Sequence, residues 1–136
     1  MNNEQTLILI KPNFTKAPVI IAVQKAINKT NLITECSGFA NFSYEEAKEF
    51  YINKKDTPFY NELANYLSSE KIYGFVVCGD NAITKIKSLA TLLRTELPNA
   101  YNLKTDVMRN VVHASSLDDG KQKVQSEINL FLKNKR

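Results

Sequence analysis

The chain has 136 residues, 43% of them apolar and 24% charged, a length and balance that suit one domain spanning 1–136 around one core. Its 18 basic and 14 acidic side chains leave a net charge of +4, which favours anionic partners only weakly because the lysines are dispersed outside the tail Lys121, Lys123, Lys133, Lys135 and Arg136. Two cysteines and one histidine argue against a disulfide framework and against a zinc cluster, and no run approaches the ~18 apolar residues that a membrane span needs.

The N-terminal stretch MNNEQTLILIKP lacks the basic start and long apolar run of a signal peptide. A cytoplasmic, reducing location is expected, with Cys36 and Cys78 as buried free thiols. Thr6 to Ile10 is a continuous apolar run with β-branched members, stopped by Lys11-Pro12, and reads as a buried strand. From Lys16 to Lys29, Val19, Ile20, Val23, Ala26 and Ile27 recur at helical spacing, with Pro18 in the first turn. Leu32 to Phe42 has strand character around Gly38. Ser43 and Glu46 match a capping box and open a helix over 44–53.

Pro58-Phe59 breaks the chain, and Leu63, Tyr66 and Leu67 mark a short helix. Ile72 to Cys78 is a strand, ended by Gly79-Asp80. Asn81 is placed to cap a helix running to about Leu93. Arg94 to Leu103, with Pro98 inside, reads as irregular. Val111-Val112 is a short strand leading into His113, and Asp118-Asp119 start a last helix through Leu130. The order predicts an α+β domain of ferredoxin-like, split βαβ topology, with a four-stranded antiparallel sheet and helices packed on one face.

Two strands end in a polar residue that can do chemistry, Lys11 and His113. A lysine offers fixed positive charge for phosphate, and a histidine offers a nucleophilic nitrogen near pH 7. The chain has only four glycines and neither a GxxxxGK[ST] loop nor a GxGxxG run, so side chains must hold the phosphates of any bound nucleotide.

The segments LILIKPN, FYINKKDTPFYNEL and RNVVHAS followed by SEINLFL resemble nucleoside diphosphate kinases from Thr6 to Leu132. The resemblance implies a ping-pong transfer, in which the γ-phosphoryl of a nucleoside triphosphate moves to a histidine and then to a second nucleoside diphosphate. Carried onto this sequence, His113 is the phosphorylated nucleophile, Glu127 orients its ring, and Ser115 lies beside them. Lys11 and Tyr51 meet the transferring phosphoryl. Asn110 holds the sugar hydroxyl region, Phe59 stacks on the base, Leu63 packs beside it and Val107 closes the other face. Mg2+ arrives on the nucleotide phosphates rather than in a protein cage.

Phosphate contacts depart from the family's pattern. Asn13 and Phe14 follow the first strand, and Lys54 and Thr57 replace the usual His and Arg. Lys87 stands for a phosphate arginine, which keeps the charge but loses the planar fork. The later segment LLRTELPNAYNLKTD is short, and an ungapped register puts Ala100 where a second arginine belongs. Arg94 or Lys104 could supply that charge, and Thr91 or Thr95 the accompanying threonine. One lost charged contact is worth on the order of 10²–10³ in rate, which points to reduced turnover. The family also implies a homo-oligomer, a dimer or an assembly of dimers. A nucleotide-binding or regulatory module with little turnover is the alternative reading. A nucleic-acid-binding role is disfavoured because no aromatic-basic RNA-binding motif occurs.

Overall fold

The computed structural model describes residues 3–136. Strand β1 (Asn3–Ile10) is followed by helix α1 (Ala17–Asn28), strand β2 (Ile33–Ala40) and helix α2 (Tyr44–Phe50). After a 3-10 turn at Ile52–Lys54 come helix α3 (Tyr60–Ser68), strand β3 (Ile72–Asp80), helix α4 (Ala82–Tyr101) and strand β4 (Val112–Ala114). A second 3-10 turn at Leu117–Asp119 leads into helix α5 (Lys121–Asn134). The four strands lie in the order β2-β3-β1-β4, with β1 antiparallel to both β3 and β4. This is the expected split βαβ arrangement.

The helices cover both faces of the sheet rather than one. Leu7 and Leu9 of β1 pack with α2, α3 and α5, while Ile8 and Ile10 pack with α1 and α4. A run such as LILI, apolar on every residue, cannot leave either face in water. Gly74 lets α5 lie close on the sheet, because a Cβ there would collide with the ring of Phe131 and with Leu9.

Local signals set several boundaries. The capping box forms as read: Ser43 accepts from the Glu46 backbone at 3.1 Å, and Glu46 accepts from the Ser43 backbone at 2.9 Å. Asn81, by contrast, is left-handed and makes no side-chain cap; Glu4 of β1 accepts the Ile83 backbone N–H instead. Asp118 and Asp119 fall in the 3-10 turn, and Gly120 at φ +88° precedes the true start of α5.

The largest correction concerns Arg94 to Leu103. This stretch is helical to Tyr101, with Pro98 inside the helix. Ile83, Ile86, Ala90, Leu93 and Leu97 continue one buried stripe against the sheet. Burial of that stripe outweighs the backbone bond that Pro98 cannot make. Strand β3 likewise runs through Gly79 to Asp80, paired with Glu4 and Asn3. Both cysteines are free, but each is half-buried rather than buried. No helix among the described residues is long and apolar enough to cross a membrane.

Candidate functional site

The end of β1 and the start of β4 bring Lys11 and His113 to the same end of the sheet. Leu9 pairs with His113 and Ile10 with Val112, and the Lys11 backbone N–H donates to the Val111 carbonyl at 2.7 Å. Side-chain alternation then puts Leu9, Lys11 and His113 on one face, that of α2 and α5.

The entry to β4 is strained. Val111 has φ +79°, and the Val112 N–H donates to the Asn110 carbonyl at 3.0 Å, closing a three-residue turn. A β-branched residue in the left-handed region costs roughly 1–3 kcal/mol. Val111 is fully buried, so core packing holds the turn, which sets both Asn110 and the residue after Val112.

Around the imidazole the partners come from α5. His113 Nε2 lies 2.9 Å from Glu127 Oε1. Ser115 Oγ donates to the same oxygen at 2.7 Å. Lys123 Nζ donates to Glu127 Oε2 at 2.6 Å. Burial opposes ionisation of Glu127, but the His113 and Lys123 partners outweigh it and hold the carboxyl at about 2. Burial likewise disfavours protonation of the His113 ring; Glu127 works against that, while Lys11 and Lys123 add to it, and the net is below the ordinary histidine value. The ring is therefore neutral. An ionised carboxylate only accepts, so the proton sits on Nε2 and the lone pair on Nδ1. No hydrogen bond occupies Nδ1 among the described residues, and the side chain keeps 20% of its surface exposed.

Positive charge gathers beside the ring. Lys11 is buried, with Nζ donating to Asn110 Oδ1 at 2.7 Å and to the Met108 carbonyl at 3.1 Å. Burial first and Arg94 second bring its ammonium down to about 8, with Lys87 adding to the effect. Arg94 reaches in from α4, where its Nε donates to the Val112 carbonyl at 3.1 Å. Tyr51 sits at the C-terminal end of α2, its ring 6.2 Å from that of His113. Burial and the charge of Glu127 raise its phenol above the ordinary value, so it remains a donor.

The base-side residues are less assembled. Phe59 is exposed at 43%, a free aromatic surface at the start of α3. Leu63 is buried in the core with Tyr51 and Phe50 rather than presented to a ligand. Val107 is 97% exposed and covers nothing, although its neighbour Met108 packs against the core. Lys104 is also exposed, in a cleft with Asn13, Phe14, Lys16 and Arg109, whereas Arg94 touches the strand that carries His113. Between the two candidate cations, the geometry brings Arg94 to the strand of His113 and beside Lys11 and Tyr51. Thr91 is exposed and bonds the Lys87 carbonyl within its own helix at 3.2 Å.

Sequence reading missed Lys123. Its four-residue spacing from Glu127 on one helix was the available signal. Among the described residues no group of three His, Cys, Asp or Glu side chains could hold a metal ion. Glu127, the carboxylate at the ring, already has donors on both oxygens. A neutral nitrogen nucleophile, backed by a carboxylate and flanked by Lys11 and Arg94, suits attack on an anionic electrophile such as a phosphoryl group.

Comparison with known proteins bears on the same chemistry. A family model described as nucleoside diphosphate kinase matches residues 4–136. A nucleoside diphosphate kinase of Nitrosococcus oceani is 31% identical, covering 96% of this chain and 92% of that protein. One from Persephonella marina is 32% identical, with 96% and 94% covered. The solved nucleoside diphosphate kinase of Aquifex aeolicus superposes with a TM-score of 0.77 at 26% identity, over 96% of this chain and 95% of that one.

Proposed function

The chain belongs to the nucleoside diphosphate kinase family, and we propose that it performs that family's transfer through His113. Its activity is that of a phosphotransferase acting on nucleotides, the activity its full-length relatives are named for. Nδ1 attacks the γ-phosphorus of a nucleoside triphosphate. An N–P bond forms as the bond to the bridging oxygen breaks, and the electron pair leaves on the β-phosphate of the departing diphosphate. The Nε2 proton stays on the ring, whose new positive charge is met by Glu127. A second nucleoside diphosphate then takes the phosphoryl by the reverse steps.

The remaining residues have roles that follow from their placement. Lys11 and Arg94 neutralise the transferring group, Lys87 adds charge, and Tyr51 donates to a phosphoryl oxygen. Asn110, held by Lys11, meets the sugar. Phe59 offers a face to the base, and Ser115 fixes Glu127. Leu63 supports this wall from the core, and Val107 reaches the nucleotide only if its loop folds inward.

The family works on nucleotides with a divalent metal. The cations around the ring are the wrong partners for a resident metal but the right ones for phosphates that carry one, which supports Mg2+ entering on the nucleotide. Free half-buried thiols fit a reducing cytoplasm. Exposed Ile21 and Ile33, at 52% and 66%, fit burial in a homo-oligomer, a dimer or an assembly of dimers. The chain folds as a single domain in this reading.

The observation that carries the proposal is the 2.9 Å pairing of His113 Nε2 with Glu127, which frees Nδ1. The test is incubation with γ-labelled ATP and magnesium, then a chase with a different nucleoside diphosphate. Acid-labile label that requires His113 and passes to the second diphosphate is the expected result. Tight ADP binding with no label on His113 would overturn the kinase reading in favour of a nucleotide-binding module.

A further inference from the structure

Lys123 is a half-buried cation with no part in the transfer as described above, although it touches the carboxylate that orients the nucleophile. Its side chain is 11% exposed. Nζ donates at 2.6 Å to Glu127 Oε2 and at 2.6 Å to the Phe50 carbonyl. The Phe50 carbonyl ends α2, one residue before Tyr51. The ammonium also lies 5.2 Å from the centre of the Phe50 ring, and that ring packs edge-on against His113 at 5.0 Å. One side chain thus ties the far oxygen of Glu127 to the helix end that carries Tyr51.

We propose that Lys123 is a positioning residue for phosphoryl transfer: bridging Glu127 and the Phe50 carbonyl, its charge keeps the His113 ring neutral and keeps the Nε2 proton on the ring. The inference rests on the transfer reading given above. Without a counter-charge, a buried Glu127 carboxylate would attract a second proton to the imidazole, and Nδ1 would lose its lone pair to that proton. Lys123 withdraws this attraction from the carboxylate's other side. The same charge acts on the return step. Phosphorylation at Nδ1 leaves the ring cationic, and a nearby ammonium disfavours that state, so the phosphoryl is released more readily to the second diphosphate.

The charged and titratable groups around the ring come from every element packed on it. Glu127 and Lys123 belong to α5, Lys11 follows β1, Tyr51 ends α2, and Arg94 of α4 stands beside Lys11 and Tyr51. Lys11 and Lys123 both oppose a ring charge, and burial opposes it more than either. Of the two lysines, only Lys123 contacts Glu127, so its removal exposes the ring to the full carboxylate.

The test compares wild type with Lys123→Met, of similar length without charge, and Lys123→Arg, which keeps the charge. The chain has one histidine, so the NMR titration of a labelled imidazole reports His113 alone. Lys123→Met is expected to raise the midpoint by about one pH unit, the size of an ordinary neighbouring-charge effect, and Lys123→Arg to leave it near wild type. The acidic limb of single-turnover labelling by γ-labelled ATP should move by the same amount. An unchanged midpoint in folded Lys123→Met would overturn the inference, whatever its rate. If Lys123→Met does not fold, Lys123→Gln takes its place under the same criterion. Absence of label in wild type would overturn the transfer reading alone, because the imidazole titration needs no turnover.

Discussion

Lys11 and Asn110 stand 99 positions apart in the chain and meet at 2.7 Å, ammonium to side-chain carbonyl. The contact joins the end of β1 to the turn that sets His113, and it pins a buried cation beside the imidazole. Burial of that cation makes the site's charge sensitive to alkali.

Burial and Arg94 bring the Lys11 ammonium down from 10.5 to about 8. The proton is therefore lost in the folded protein as pH rises through about 8, sooner than in an exposed lysine. Affinity for ADP should weaken above that pH, as titration calorimetry at pH 7 and pH 9 would show. Lys11→Met should bind more weakly at both values and lose the difference between them.

Glu127 is a depressed carboxylate, with an ordinary value of 4.5 and about 2 in the fold. Its contribution to stability is present above pH 4.5 and disappears as pH falls toward 2. In urea denaturation, the stability advantage of wild type over Glu127→Gln should shrink across that window. Near neutral pH the same variant should form phosphohistidine at least about 10²-fold more slowly, because the ring loses its orienting charge.

Arg94 and Lys104 should separate in kinetics. Arg94 bonds the Val112 carbonyl beside the ring, while Lys104 is exposed on the loop. Arg94→Met is expected to lower kcat/KM on the order of 10²-fold, and Lys104→Met to lower it by less than about tenfold. A larger loss for Lys104→Met would mean that the loop closes onto the phosphates.

Ser43→Ala should cost about 1 kcal/mol by removing the cap of α2, which corresponds to roughly 4 °C in Tm for a chain of this size. Calorimetry would measure it. Lys123 still holds the other end of α2 at Phe50, so His113 labelling should survive in the folded variant.

Much of the fold was legible because its signals are local. A capping box needs only Ser43 and Glu46, and LILI is apolar whatever surrounds it. The helix over 82–101 was misread where a local rule met a nonlocal one: Pro98 and the polar residues after Arg94 argue for a break, and the buried stripe through Leu93 and Leu97 overrides them. In the site, the pairing of His113 with Glu127 was carried by family resemblance and not by spacing. Leu63 and Val107 were expected at the nucleotide, and the fold places one in the core and the other wholly in solvent.

The sequence by itself determined most of the element types and the absence of a glycine-rich phosphate loop, and it marked His113 as a polar residue at a strand end. Those depend on composition and on short-range order. Only the tertiary structure decided that Arg94 rather than Lys104 bonds the strand of His113, that the Lys123–Glu127 pair is set against His113 and the Phe50 carbonyl, and that Val111 is forced to φ +79° before β4. Nothing in RNVVHAS marks a strained valine. Such strain, and the burial of Glu127 and Lys11, exist only where packing from distant segments compels them, and here that packing is the closure of β1, β4 and α5 around one imidazole.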